Sequence, residues 1–223
     1  MDIDITSDAA GIACVHLDDG GRNVFTRQAA ARLDETLAAL EASAETNTVI
    51  LSGREAALSV GLDTETVLRG DDDARALIAT MGRVLARLYL GPLRSVVITQ
   101  GHATAAGAML LMVADHRIGV EGPGKIGLSE VRYGLDVPLP TQQLVRDRIA
   151  TRFQYAATAG ATLFETIAAQ DAGFIDAVAA NRDEAMTLAL ATATALSALP
   201  DSGYLATKRA MRTAFRALME DGV

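Results

Sequence analysis

Two loops in the 223-residue chain have the residue types to hold a developing negative charge. The first, Glu55–Asp63 (EAALSVGLD), follows Val49-Ile50-Leu51 and the turn Ser52-Gly53. The second, Gln100–Ala108 (QGHATAAGA), follows Ser95–Thr99 (SVVIT) and leads into the apolar run Ala108–Ala114. A glycine-bearing loop after a short strand exposes backbone N–H groups, and a helix start adds more, with the positive end of its dipole. Two such N–H groups aimed at one point stabilise a carbonyl oxygen that gains charge. Other chemistry is thinner. Gly122-Pro123-Gly124-Lys125-Ile126-Gly127 fits the GxGxxG pattern, but no long apolar helix follows it. It therefore reads as a loop between strands, not a dinucleotide site. Leu58-Ser59-Val60-Gly61 has Ala57 where a nucleophile elbow needs glycine. His16, His102 and His116 show no metal-ligand spacing on a helix face, so each reads as a satisfied histidine. Cys14 sits mid-strand, where a thiol behaves as a small hydrophobe.

The elements that must carry these loops follow from the apolar periodicity. Gly11–Leu17 is a strand leaving through Asp18-Asp19-Gly20-Gly21. Thr26 caps a helix whose Ala30, Leu33, Leu37 and Leu40 recur at helical spacing, and Val49–Leu51 is the next strand. Strand, helix and strand in that order predict parallel pairing with a helical crossover. The pattern repeats more loosely: residues 57–73 are mixed, and the acids Asp71–Asp73 suit a helix start. Leu77, Ile78, Met81, Leu85 and Leu88 form that helix's stripe, and Gly91-Pro92 stops it. Ser95–Thr99 and His116–Val120 are further strands. After about residue 140 the strands are expected to stop and helices to dominate: Thr141–Ile149, Arg152–Ala159, Phe164–Ala172, Asp183–Leu199 and Tyr204–Met219. With no Pro/Gly/Ser-rich linker, the expectation is an α/β core over residues 1–140 and a helical region over 141–223 in the same structural unit.

Composition removes several function classes. Twenty basic against 28 acidic residues give a net charge of −8, which argues against nucleic-acid or anionic-membrane surfaces. Aromatics are 4% and Trp is absent, so base-stacking platforms are not expected either. One cysteine excludes an internal disulfide framework and a cysteine-based zinc site. The run Ala103–Ala114 is far shorter than the roughly 20 apolar residues of a membrane span. The opening MDIDITSDAAG has acids where a signal peptide needs basic residues. The expectation is a cytoplasmic protein with no membrane partner.

Seven segments in register give the chain a family likeness. Arg22-Asn23-Val24-Phe25, Leu58–Asp63 (LSVGLD), Gln100–Gly107 (QGHATAAG) and Ala114–Ile118 (ADHRI) are four of them. Ile126–Val131 (IGLSEV), Ala169–Val178 (AQDAGFIDAV) and Thr207–Ala210 (TKRA) complete the series, which runs from about residue 3 to 215. Together they resemble the crotonase (enoyl-CoA hydratase/isomerase) superfamily. The resemblance implies that family's α/β fold of repeated ββα units with a C-terminal helical trimerisation region, assembled as a homotrimer or dimer of trimers. It implies an acyl-CoA thioester as ligand, coenzyme A being part of the substrate, with no separate cofactor and no metal.

Carried onto this chain, the resemblance places the oxyanion donors at the backbone N–H groups of Leu62 and Ala106. Both residues depart from the family's Ala/Gly, but a backbone N–H survives any substitution except proline. Substrate contacts are implied at Arg22, Val24, Ser59, Gly61, Asp63, Gly107 and Met109, with Arg22 and Arg27 as local donors for the coenzyme A phosphates. Hydratases of the family use two glutamates, because adding water across C2=C3 needs a base for the water and an acid for C2. Here the second is Glu130, while the first falls on Met109. A single carboxylate is similar to the pattern of the family's isomerases. Asp136 is the best substitute second acid; its alternative is a turn residue before Pro138. Glu130's alternative is a solvated acid on a strand edge, and Asp63's is a helix cap. The segment 134–140 lacks the family's I-P-G-x-G-G-T, and the family's usual last helix is expected to be missing after Thr207–Arg209. The implied activity is hydration or Δ3–Δ2 isomerisation of an enoyl-CoA. A non-catalytic acyl-CoA binder is the alternative, and a hydrolase or decarboxylase on the same scaffold is more remote.

Overall fold

A computed structural model describes residues 1–7 and 11–221. The chain begins with β1 (Asp2–Ser7), β2 (Ile12–Asp18), β3 (Val24–Phe25) and α1 (Arg27–Ala42). It continues through β4 (Thr48–Ser52), β5 (Ala57–Ser59), β6 (Gly61–Leu62), α2 (Thr64–Arg69) and α3 (Asp72–Leu90). Next come β7 (Arg94–Thr99), β8 (His102–Thr104), α4 (Ala106–Val113), β9 (His116–Val120) and β10 (Ile126–Gly127). A 3-10 turn at Glu130–Tyr133 precedes α5 (Leu139–Arg148), α6 (Gln154–Ala157), α7 (Thr166–Ala172) and β11 (Ala177–Ala179). The chain closes with α8 (Arg182–Ser197), α9 (Asp201–Met211) and α10 (Thr213–Asp221).

The larger sheet has the order β1-β2-β4-β7-β9-β11, antiparallel at β1/β2 and parallel beyond. Each of β4, β7 and β9 is followed by a short strand of a second sheet, ordered β10-β8-β5, before the chain enters a helix. That is the repeated ββα pattern. The local signals behave as their chemistry dictates. Thr26 accepts from Ala29 N–H at the start of α1, and Asp71 accepts from Ala74 N–H at the start of α3. Leu33, Leu37, Leu77, Leu88 and their neighbours are buried between these helices and the sheet, at about 1.5–3 kcal/mol each. On the opposite face α8 packs through Ala185, Ala189 and Ala193 against Ile50, Val96, Ile98 and Ile118, so the parallel strands are covered on both sides.

Several expectations change. Strands do not stop near residue 140, because β11 adds to β9 as the sheet's far edge. Three residues of modest apolarity carry no periodic signal of their own. Ile78 is exposed, at the margin of the α3 stripe. The stretch 204–219 is two helices broken at Arg212, and α10 folds back onto α5 and α3. Phe215 of α10 is buried edge-on against Tyr89. Asp2–Ser7 forms β1, paired with β2 from Asp2↔Asp18 to Ser7↔Ala13. Among the described residues, no helix is long and apolar enough to cross a membrane.

Candidate active site

The first loop is held by a buried asparagine. Asn23 has φ +56°, which Asn tolerates better than most residues, and its Nδ2 donates to Leu17 O, Ala57 O and Leu58 O. Asp19 fixes the preceding turn, accepting from Asn23 N–H and Val24 N–H. Ser59 is wholly buried: its Oγ donates to Asn23 O (2.6 Å) and accepts from Gly61 N–H (3.0 Å). The hydroxyl thus shapes the loop. Val24 pairs with Gly61 in the two-stranded β3/β6 ribbon, and Asp63 N–H donates to Phe25 O. Successive N–H groups of a strand alternate in direction, so the N–H of Leu62 faces away from β3. The Asp63 carboxylate caps α2, accepting from Thr66 N–H. Arg22 is exposed, near enough to His102 to depress its pKa, though burial is the larger cause.

The second loop meets the first at backbone distance. Ala106 is the first residue of α4, so its N–H belongs to the set a helix leaves without an internal acceptor. A Cβ placed on Gly61 would stand 3.4 Å from Ala106 N, and one on Gly107 would stand 2.1 Å from Ser59 O. The start of α4 therefore lies directly on the β5–β6 turn, with Gly61, the residue before Leu62, against the Ala106 nitrogen. Gly107→Ala is expected to force the two loops apart. Overpacking here should lower stability by about 1–3 kcal/mol. Denaturant titration showing no loss would contradict this contact.

Glu130 opens the 3-10 turn after β10, not a strand edge, and it is half-buried. Its Oε2 is buried with no hydrogen-bond partner. Burial pushes its carboxyl above the ordinary glutamate value of 4.5, against the opposing pull of the Ser129 and Glu130 amides. Segments on either side of it in sequence contact the second loop and its helix: Gly127 O accepts from Ala105 N–H, and Thr141 Oγ1 donates to the Met109 sulfur at 3.3 Å. Met109 is 8% exposed and part of the main core, so the position that the likeness gives to a first glutamate is apolar and closed by Thr141. Asp136 is exposed on the loop before α5. The structure brings Leu62 of β6 and Ala106 and Met109 of α4 together and leaves Asp136 at the surface.

The remaining candidates are accounted for structurally. Gly122–Gly127 runs through the loop after β9 and ends in β10, and a Cβ on Gly124 would stand 2.5 Å from the Gly101 backbone, so Gly124 serves a loop crossing. His16 Nδ1 is 3.0 Å from Ser52 Oγ, and His102 Nδ1 accepts from Lys125 N–H. His116 Nδ1 lies 3.8 Å from Asp176. Arg27 is engaged with Asp73 at 2.6 Å. A cavity of about 410 Å³ beside Glu121 and Glu165, and one of about 660 Å³ beside Asp115 and Lys208, are lined by no residue of the two loops. Sequence reasoning missed Asn23 as the anchor of the first loop and Thr141 as the partner of Met109. For Asn23 a signal existed, an Asn shortly after a Gly-Gly turn; for Thr141 none did.

The family model for enoyl-CoA hydratase/isomerase matches residues 7–222, nearly the whole chain. The chain belongs to the enoyl-CoA hydratase/isomerase family. Its architecture agrees with solved structures of the crotonase fold. An enoyl-CoA hydratase/isomerase family protein from Pseudomonas syringae is 29% identical, with a TM-score of 0.91 over 98% of this chain and 94% of that one. Human mitochondrial delta3-delta2-enoyl-CoA isomerase is 26% identical, with a TM-score of 0.91 over 96% and 84%. Among curated proteins, the ethylmalonyl-CoA decarboxylase of Xenopus laevis is 29% identical over 134 residues, covering 59% of this chain and 43% of that protein. A Thermus thermophilus protein carrying an enoyl-CoA hydratase name is 31% identical over 60% of this chain and 55% of its own length. The aligned region thus spans about half of these curated relatives.

Proposed function

We propose that this family member acts on an acyl-CoA thioester, as a homotrimer or dimer of trimers, and isomerises a 3-enoyl-CoA to the 2-enoyl-CoA. Glu130 is the acid/base in this reading. Its carboxylate takes the C2 proton, and the electron pair of that C–H bond moves into C1=C2, so the thioester oxygen becomes an enolate conjugated with C3=C4. The N–H groups of Leu62 and Ala106 hold that oxygen. Glu130 then returns the proton to C4, leaving the double bond at C2=C3. Proton and electrons balance with one carboxylate. The observation that supports the reading is a Glu130 carboxyl with one oxygen, Oε2, buried without a hydrogen-bond partner, in a chain whose first-glutamate position is the apolar Met109, in contact with Thr141. An elevated pKa suits a group that must both accept and return a proton near neutral pH.

The test is turnover of a 3-enoyl-CoA beside crotonyl-CoA by the purified protein. Isomerisation well above hydration is expected. Crotonyl-CoA hydration that disappears in Asp136→Asn instead makes Asp136 a second acid and the enzyme a hydratase. A decarboxylase reading draws on the Xenopus relative, because loss of CO2 also generates an enolate without a base at C2. Release of CO2 from ethylmalonyl-CoA without isomerisation favours it. Tight binding of all three esters with no turnover favours a non-catalytic binder.

A further inference from the structure

The residue before each proposed donor has a left-handed φ: Gly61 at +104° before Leu62, and Ala105 at +51° before Ala106. For glycine this conformation is free. For Ala105, φ +51° with ψ −124° is strained, because Cβ crowds the flanking carbonyls. Such a residue persists only where its surroundings over-determine it, and three contacts do so here. Ala105 N–H donates to Gly127 O at 3.0 Å, and Ala105 O accepts from Met109 N–H at 3.0 Å. The Ala105 methyl abuts Gly61, on which a Cβ would stand only 2.9 Å away. Glycine at position 105 could keep both hydrogen bonds without strain. What the alanine adds is the methyl, and the methyl sits against Gly61, the residue whose carbonyl carbon bonds to the Leu62 nitrogen.

We infer that Ala105 is a positioning residue. Its methyl braces the 105–106 peptide against Gly61, fixing the direction of the Ala106 N–H and its spacing from that of Leu62, so that both reach one thioester oxygen. The inference rests on the oxyanion reading above and adds the residue that sets the donor geometry. Ala105→Gly removes both brace and strain. Its thermal midpoint should therefore hold or rise by about 2 °C, while kcat for a 3-enoyl-CoA falls by roughly tenfold, less than the loss of a whole donor. KM should change less than about threefold, because the interaction strengthens as charge develops. Ala105→Ser, which keeps the Cβ, should retain kcat within about threefold of the parent.

A second readout does not depend on turnover. The carbonyl resonance of bound [1-13C]acetyl-CoA should move downfield in the parent protein, and less so in Ala105→Gly. Unchanged kcat and unchanged carbonyl shift in Ala105→Gly overturn the inference. So does a fall in midpoint that accompanies the loss of kcat, since that marks a merely structural role. If the parent shows no isomerisation yet its carbonyl shift still responds to Ala105→Gly, the isomerase reading fails and the positioning role stands. A parent protein that binds acetyl-CoA without any carbonyl shift overturns both.

Discussion

Glu130→Gln is expected to lower isomerisation of a 3-enoyl-CoA by about 10²–10⁴-fold while binding of the coenzyme A ester persists. Glutamine has the shape of glutamate but no proton-accepting carboxylate, so the change separates chemistry from binding. Parent-like rates in this variant remove Glu130 from the mechanism. The pH dependence follows from the same burial. The active base is the ionised form, and its pKa is raised above 4.5, so the acid limb of kcat/KM should lie above the range of an exposed glutamate. The effect on stability has the opposite sign to that on activity. As pH rises through the elevated pKa, the folded state must accept a buried charge that the unfolded chain carries in water. Stability therefore falls across that window. At pH 7 the neutral Glu130→Gln variant should melt at or above the parent's temperature, with the gap closing below the ordinary carboxyl pKa. A parent protein that is the more stable at pH 7 would mean that a buried partner satisfies Glu130.

The largest stability effect is expected at Asp115, far from the chemistry. Its carboxylate accepts from Lys208 Nζ at 3.0 Å, Arg212 Nη2 at 2.6 Å, and both N–H and Oγ of Ser95. Burial alone would push the carboxyl up; Lys208 and Arg212 reverse that and hold it below 3.8. Burial also pushes the Lys208 ammonium down to about 8, helped by Arg212 and Arg148 and opposed by Asp115. The cluster thus has more cations than its one deeply buried carboxylate can offset. Asp115→Ala leaves two buried cations facing each other, and a loss of about 3–5 kcal/mol in denaturant unfolding is expected. Lys208→Met should lose less than half as much, because it removes a desolvated cation while Arg212 still pairs with Asp115. Equal losses at the two positions would show that hydrogen-bond geometry, not charge balance, governs the cluster. Asp115's contribution is present above pH 3.8 and disappears as pH falls through its depressed pKa, so acid unfolding should start here.

Most of the strand and helix order was legible because its signals are local. Thr26 and Asp71 cap the helices they precede in sequence, and Val49–Leu51 and Ser95–Thr99 sit in the buried centre of the sheet, where continuous apolar runs are required. Weaker segments were less legible for equally physical reasons. In β1 the Ile3/Ile5 alternation is masked by Asp2 and Asp4, and only pairing with β2 makes it a strand. In α9 and α10 the apolar stripe runs on past Arg212, and nothing local marks the break. Arg212 leaves the helical path to donate to Tyr89 O and Asp115, 123 and 97 residues away in sequence.

For the active site, sequence alone determined which groups are available. It put a carboxyl at Glu130, denied one to Met109, and placed glycines where the two loops had to approach, since side-chain identity and backbone permissiveness belong to single positions. Only the tertiary structure decided what those groups experience. Glu130 could have been a fully solvated acid; in the 3-10 turn between β10 and α5 it is half-buried, with Oε2 shut away from any hydrogen-bond partner. Ala105 reads as an ordinary small residue, yet three contacts from β10, α4 and Gly61 hold it in a conformation it would not adopt alone. The pKa of a carboxyl and the strain of a peptide depend on what packs around them, and that is fixed by residues distant in sequence.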